Sequence, residues 1–316
     1  MILDLVLLIV GLFVLILGGD FLVRGASVIA LRLHISPLVV GLTIVAFGTS
    51  APELLISLNA ALSGSPDLAM GNVVGSNICN LALVLGVTAV IGNINVKQAS
   101  MKLDWPMAMG SGILLYFFAY DGLISWYEGV IFVSILILYT IYIISRSRKE
   151  TMAIQEIDAA LSINVVNPKP LWRELGLILI GGIGLYIGSE WFVSGAQSLA
   201  RLLGVGERVI GITVLALGTS LPELVTAIVA SLKKETDLAL GNLMGSNIFN
   251  VLSILGITSI VQEIHVNEII LNIDMLWMLG ITLLVMPMML SSRRIARAEG
   301  VVLLLIYAYY TYSVIS

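Results

Sequence analysis

Runs of about twenty nearly uncharged, apolar residues recur from one end of the chain to the other, and nothing constrains the fold more. A helix needs about 20 such residues to cross a bilayer. Ten segments satisfy that reading, at roughly 2–30, 37–63, 68–92, 103–120, 124–145, 173–200, 208–232, 238–262, 270–291 and 299–315. Charged residues make up 11% of the 316 residues and hydrophobic ones 59%, where a soluble domain carries about 25% charged residues. The mean hydropathy is +1.05. Lipid is therefore the expected solvent, and the chain reads as an all-α integral membrane protein. The first apolar run, Ile2 to Leu17, lacks a basic start and a small-residue cleavage site, so it reads as a span and not as a removed signal.

The longest polar connection, 146–172, holds Arg146, Arg148, Lys149, Glu150, Glu156 and Asp158. It reads as a cytoplasmic linker between units 1–145 and 173–316, with room for a brief amphipathic helix. The net charge of −4 sits in short loops, and no basic, aromatic-laced stretch suggests nucleic acid. The single cysteine, Cys79, excludes an intramolecular disulfide. His34 and His265 stand alone and read as interfacial loop residues, because histidine ligands come in clusters.

The two units are copies of one another. Gly41 to Glu53 (GLTIVAFGTSAPE) returns as Gly211 to Glu223 (GITVLALGTSLPE), and Asp67 to Asn80 returns as Asp237 to Asn250. The offset is 170 throughout, and 24 of 51 positions from residue 41 to 91 are identical. Each copy holds five spans. An odd number sends the second copy through the membrane in the opposite sense, which is the inverted repeat of many secondary transporters. Lysine and arginine favour cytoplasmic loops. With both termini outside, 14 of the 16 basic residues fall on the cytoplasmic side, leaving only Arg201 and Arg208 outside.

Two polar blocks interrupt the apolar pattern in each copy. The first is Gly-Thr-Ser-x-Pro-Glu at 48–53 and 218–223. A proline here removes a backbone donor and pushes its predecessor out of the helical region, so the second and seventh spans are expected to break at mid-membrane. Carbonyls freed at such a break must be buried or face a wet cavity. The acid after each break, Glu53 or Glu223, costs about 2.5–3.5 kcal/mol at that depth on insertion scales. No lysine or arginine lies at comparable depth in these spans, so a bound cation, or a proton in the empty site, is the expected counter-charge. The second block places Asn72, Ser76 and Asn80 four apart on one helical stripe, repeated by Asn242, Ser246 and Asn250. Gly71 and Gly75, with Gly241 and Gly245, are small-residue pairs that let helices approach closely.

Together Glu53, Glu223, Thr49, Ser50, Thr219, Ser220, Ser76, Ser246, Asn80 and Asn250, with carbonyls near Ala46, Thr49, Ala216 and Thr219, form a donor set made of oxygen alone. Calcium takes about 6–8 such ligands, sodium accepts the same kind, and the absence of soft ligands argues against zinc or copper. Against this stands the reading in which the Asn and Ser stripes only pin helices together. Asp20 and Glu190 divide between a polar vestibule and the interface. Asp104 and Asp274 read as structural, Asp67 and Asp237 as helix N-caps, and Cys79 as packing.

The paired Gly-Thr-Ser-x-Pro-Glu and Gly-Ser-Asn-Ile-x-Asn motifs resemble the alpha repeats of the calcium/cation antiporter superfamily, and most nearly those of prokaryotic sodium/calcium exchangers. The resemblance covers essentially the whole chain. It implies ten spans in two inverted five-helix repeats, with broken helices two, three, seven and eight around four clustered ion sites. It implies calcium on Glu53, Glu223 and the carbonyls of Thr49 and Thr219, sodium near Ala46, Ser76, Ala216 and Ser246, and Asn80 and Asn250 lining the middle. It also implies a prokaryotic cell (inner) membrane protein that needs no cofactor and works as a monomer. Some members carry aspartate where Asn80 or Asn250 stands here. The expected activity is antiport of Na+ against Ca2+ by alternating access, with spans one and six as the sliding gate. A proton- or potassium-coupled antiporter, a channel and, last, a membrane enzyme are the rivals. No nucleophile–base pair appears at depth.

Overall fold

The computed structural model describes residues 2–159, 171–204 and 216–315. Apart from four two-residue strands, the regular structure of these residues is helical. Helix α1 (Ile2–Arg32) is followed by α2 (Pro37–Thr49) and α3 (Ala51–Leu62), which meet at a 45° bend. Then come α4 (Pro66–Ile91), α5 (Trp105–Phe118) and α6 (Trp126–Ala159). The second half holds α7 (Leu171–Leu202), α8 (Ala216–Thr219), α9 (Leu221–Leu232), α10 (Thr236–Val261), α11 (Ile270–Ser292) and α12 (Arg297–Ile315).

Six single helices (α1, α4, α6, α7, α10, α11) and the bent pair α2/α3 are long and apolar enough to cross a bilayer. Of the ten expected spans, α5 has only 14 residues, and α12 is diluted by Tyr307, Tyr309, Tyr310 and Tyr312. The seventh span falls partly outside the described residues. The linker expected at 146–172 begins inside α6, which continues to Ala159. An Arg146–Glu150 pair at 2.8 Å supports that extension, since oppositely charged residues four apart stabilise a helical surface.

A further correction concerns the third and eighth helices, expected to be broken. Both are continuous. Each instead winds as a π-helix over six residues, Cys79–Val84 in α4 and Asn250–Leu255 in α10. No proline interrupts these stretches, so the irregularity is absorbed as a widened turn, a device frequent at functional sites. Asp67 and Asp237 also differ from expectation. They are second residues of their helices, with Ser65 and Glu235 at the cap positions, and Asp237 pairs with Lys97 at 2.5 Å.

The most buried spans are α10 and α4, at 83% and 72% of their apolar windows, against 22% for α7. Glycine spacing explains how α1 and α7 join. Gly11, Gly18 and Gly25 repeat every seven residues, as do Gly181, Gly188 and Gly195. A methyl group on Gly18 would lie 2.7 Å from the Leu185 nitrogen, and one on Gly188 2.7 Å from the Leu15 nitrogen. Gly11 meets Phe192 while Gly25 meets Glu174, so the two repeat-related helices run antiparallel. Gly245 packs in the same way on Leu42 and Ala46, whereas Gly75 meets nothing within 4 Å among the described residues. Two miniature ladders cross between the halves. Strand β1 (Ile94–Asn95) pairs with β4 (Arg294–Ile295), and β2 (Leu123–Ile124) with β3 (Ile264–His265). An offset of 170 carries β1 onto β3 and one of 171 carries β2 onto β4, so one ladder is the repeat image of the other.

Candidate functional site

The bend between α2 and α3 is made by Ser50, whose backbone (φ −88°, ψ 3°) leaves the helical region; Ser220 repeats it at φ −90°, ψ 5°. The next helix then starts afresh with proline in its first turn, where a missing N–H costs nothing. Four residues back, however, the Gly48 and Gly218 carbonyls lose their donor. In the second half Ser189 Oγ donates to the Gly218 carbonyl at 2.7 Å. In the first half the matching position is Gly19, which has no such group.

Glu53 and Glu223 lie in the first turns of α3 and α9 and are fully buried. A helix N-terminus favours negative charge, which lowers the cost of a carboxylate there. Ser50 Oγ donates to Glu223 Oε1 at 3.1 Å, and Ser246 Oγ to the same oxygen at 3.4 Å. The break residue of one half therefore holds the acid of the other. Thr49 Oγ1 donates to Asn242 Oδ1 at 3.2 Å and lies 3.4 Å from Ser246 Oγ. Ala46 gives up its carbonyl to the Ser50 N–H (2.9 Å) and to Thr49 Oγ1 (3.3 Å). Asn72 spans the α3–α4 gap, donating to Ser57 Oγ at 3.0 Å and the Glu53 carbonyl at 3.4 Å.

Both oxygens of Glu53, Oε2 of Glu223, Oγ of Ser76 and of Ser220, and Oδ1 of Asn80 and of Asn250 are buried without a hydrogen-bond partner among the described residues. Each such group costs about 1–3 kcal/mol, more when charged. Among the described residues no ion pair neutralises either glutamate, and no cluster of three or more His, Cys, Asp or Glu occurs. A cation here would take the rest of its ligands from hydroxyl, amide and carbonyl oxygens, a set suited to hard ions. Thr219 borders a cavity between α3 and α7. Ala216 opens α8, and its surroundings lie outside the described residues.

Asn77 was not singled out by its sequence. It accepts from Asn250 Nδ2 at 3.0 Å and donates to the Asn247 carbonyl at 3.2 Å, joining α4 to α10 at the centre. The signal was present, since Asn77 and Asn247 are an identical pair in the repeat. Asp104 and Asp274, read as structural, accept from Tyr139 and Tyr310 at 3.0 Å each.

The family model for sodium/calcium exchanger protein matches residues 3–145 and 173–316. The chain is 37% identical to a putative antiporter, CaxA, of Alkalimonas amylolytica, over 98% of both chains. It is 31% identical to the sodium/calcium exchanger MaX1 of Methanosarcina acetivorans, over 95% of both. A structure of the sodium-calcium exchanger NCX_Mj, soaked with zero Na+ and Ca2+, superposes with a TM-score of 0.84 at 31% identity, covering 99% of each chain.

Proposed function

From the premise that this chain belongs to the sodium/calcium exchanger family, a family of membrane antiporters and not of enzymes, we propose that it exchanges Na+ for Ca2+ by alternating access, with both ions competing for Glu53 and Glu223. The observation that carries the reading is the pair of fully buried carboxylates, three of whose four oxygens have no partner among the described residues. Two negative charges are balanced by one Ca2+ or by two Na+. An unloaded site would retain both charges in a closed, dry space, a state made costly by desolvation. Loaded forms cross and the empty one does not, which couples the two flows. Thr49, Ser50, Ser76, Thr219, Ser220, Ser246, Asn80 and Asn250 supply neutral oxygens around the acids.

The antiparallel packing of repeat-related α1 and α7 supports ten spans in two inverted halves. The distribution of basic residues favours both termini outside, and the family resemblance favours a prokaryotic inner membrane. The test is uptake of radioactive calcium into sodium-loaded proteoliposomes. Uptake that needs the outward sodium gradient is expected. Uptake indifferent to sodium but driven by a pH gradient or potassium would move the coupling ion. A specific observation favours that second reading: both central positions are the neutral Asn80 and Asn250, leaving two buried acids to discriminate among cations.

A further inference from the structure

A cavity of about 600 Å³ lies between α3 and α7, bordered by Asn59, Ser189, Glu190, Ser194, Gln197 and Thr219. Gly218 and Thr219 also border it, directly before Ser220, whose buried hydroxyl has no partner among the described residues. Among the described residues Glu190 is the only acid bordering it. Glu190 is exposed and, among the described residues, is bonded only within its own helix, accepting from Tyr186 at 3.0 Å.

The repeat partner of Glu190 is Asp20, and its surroundings are opposite. Asp20 is paired with Lys233, the residue capping the end of α9, which also reaches the Asp20 carbonyl at 3.5 Å, and with Arg24 at 2.9 Å. Here α1 closes on α9: a methyl group on Gly19 would lie 3.1 Å from the Val225 side chain. At the positions equivalent to Lys233 and Arg24 the first half has Ser63 and the second half Ser194. Two pairs of substitutions thus neutralise one acid and leave the other, at the wall of the cavity, without a basic partner among the described residues.

We infer that Glu190 is a cation-capturing residue of an access cavity leading toward the buried glutamates, and that the cavity works on one face only, Asp20 being withdrawn from the same role by Lys233 and Arg24. A bare charge in a low-dielectric cleft raises the local concentration of counter-ions and their rate of entry. Its identification of the captured ions as Na+ and Ca2+ rests on the exchange reading; the electrostatic part does not.

The test introduces Ser194→Cys, one helical turn from Glu190, in a Cys79→Ala background. Rates of modification by a cationic and an anionic methanethiosulfonate reagent are then compared. With Glu190 present the cationic reagent reacts several-fold faster, and the ratio shrinks as salt rises. Glu190→Gln brings the ratio to about one, and Glu190→Asp restores it. A ratio that Glu190→Gln leaves unchanged overturns the inference, whether or not the protein exchanges sodium. In exchange assays, Glu190→Gln is expected to raise the apparent KM for calcium on the cavity side several-fold at low ionic strength, with Vmax preserved. A defect that persists at high salt and is not rescued by aspartate means a structural role, and overturns it as well.

Discussion

Glu53 and Glu223 were visible because lipid makes an unpaired acid expensive, so a duplicated one stands out in the sequence. Each of Glu53→Gln and Glu223→Gln is expected to abolish calcium uptake while membrane insertion persists; full transport by either variant removes the site assignment. What no spacing disclosed is how unequally the two acids are held. Glu223 is bonded by Ser50 and Ser246, while neither Glu53 oxygen has a partner among the described residues. The Ser50–Glu223 bond joins residues 173 apart, and repeat symmetry alone would have given Glu53 an equal bond from Ser220. A hydrogen bond to a charged group contributes about 1.5–3 kcal/mol. Ser50→Ala is therefore expected to weaken calcium binding at least about tenfold, and Ser220→Ala to weaken it less. Calcium titrations of the two purified variants check the order, and equal effects would refute it.

Among the elements, the proline-marked helix breaks at Ser50 and Ser220 were legible because proline chemistry is local. The bend of 45° after α2 follows from it. The π-helical turns of α4 and α10 were not legible, since nothing in Cys79–Val84 or Asn250–Leu255 forbids an ordinary helix; packing between the halves selects the wider turn. Pro52→Ala returns a donor to the Gly48 carbonyl. It is expected to straighten α2 into α3 and cut calcium flux sharply while circular dichroism shows the helix content unchanged. The glycine heptads of α1 and α7 make a different demand. Gly18→Val forces a side chain against the Leu185 backbone, at a cost of about 1–3 kcal/mol for overpacking. Gly110→Val, where nothing lies within 4 Å among the described residues, serves as the tolerated comparison. Thermal melts in detergent should separate the two variants.

At the scale of the whole molecule, the two halves are interlocked by the ladders β1–β4 and β2–β3. On the proposed mechanism these hold a core that moves as one body, while α1 and α7 slide past it as an antiparallel pair. A crosslink between cysteines at the paired positions Asn95 and Arg294 is then expected to leave exchange intact. A crosslink replacing the Asp20–Lys233 ion pair is expected to arrest it by tying α1 to α9. Exchange that survives the second crosslink removes α1 from the moving part.

By itself the sequence determined the apolar surroundings, the duplication, the proline-marked breaks at Ser50 and Ser220 and the two acids that stand in apolar runs. Each follows from a cost paid residue by residue: an apolar run in water, a charge in lipid, a proline in a helix. The end of α6 was less legible, because charged turns beyond residue 145 continue the helix to Ala159 without an apolar signal. Only the tertiary structure decided which serine holds which glutamate, which asparagines meet across the centre, and which of Asp20 and Glu190 is neutralised. Those outcomes depend on which helices lie side by side, and two nearly identical repeats leave that choice open until the halves pack against each other.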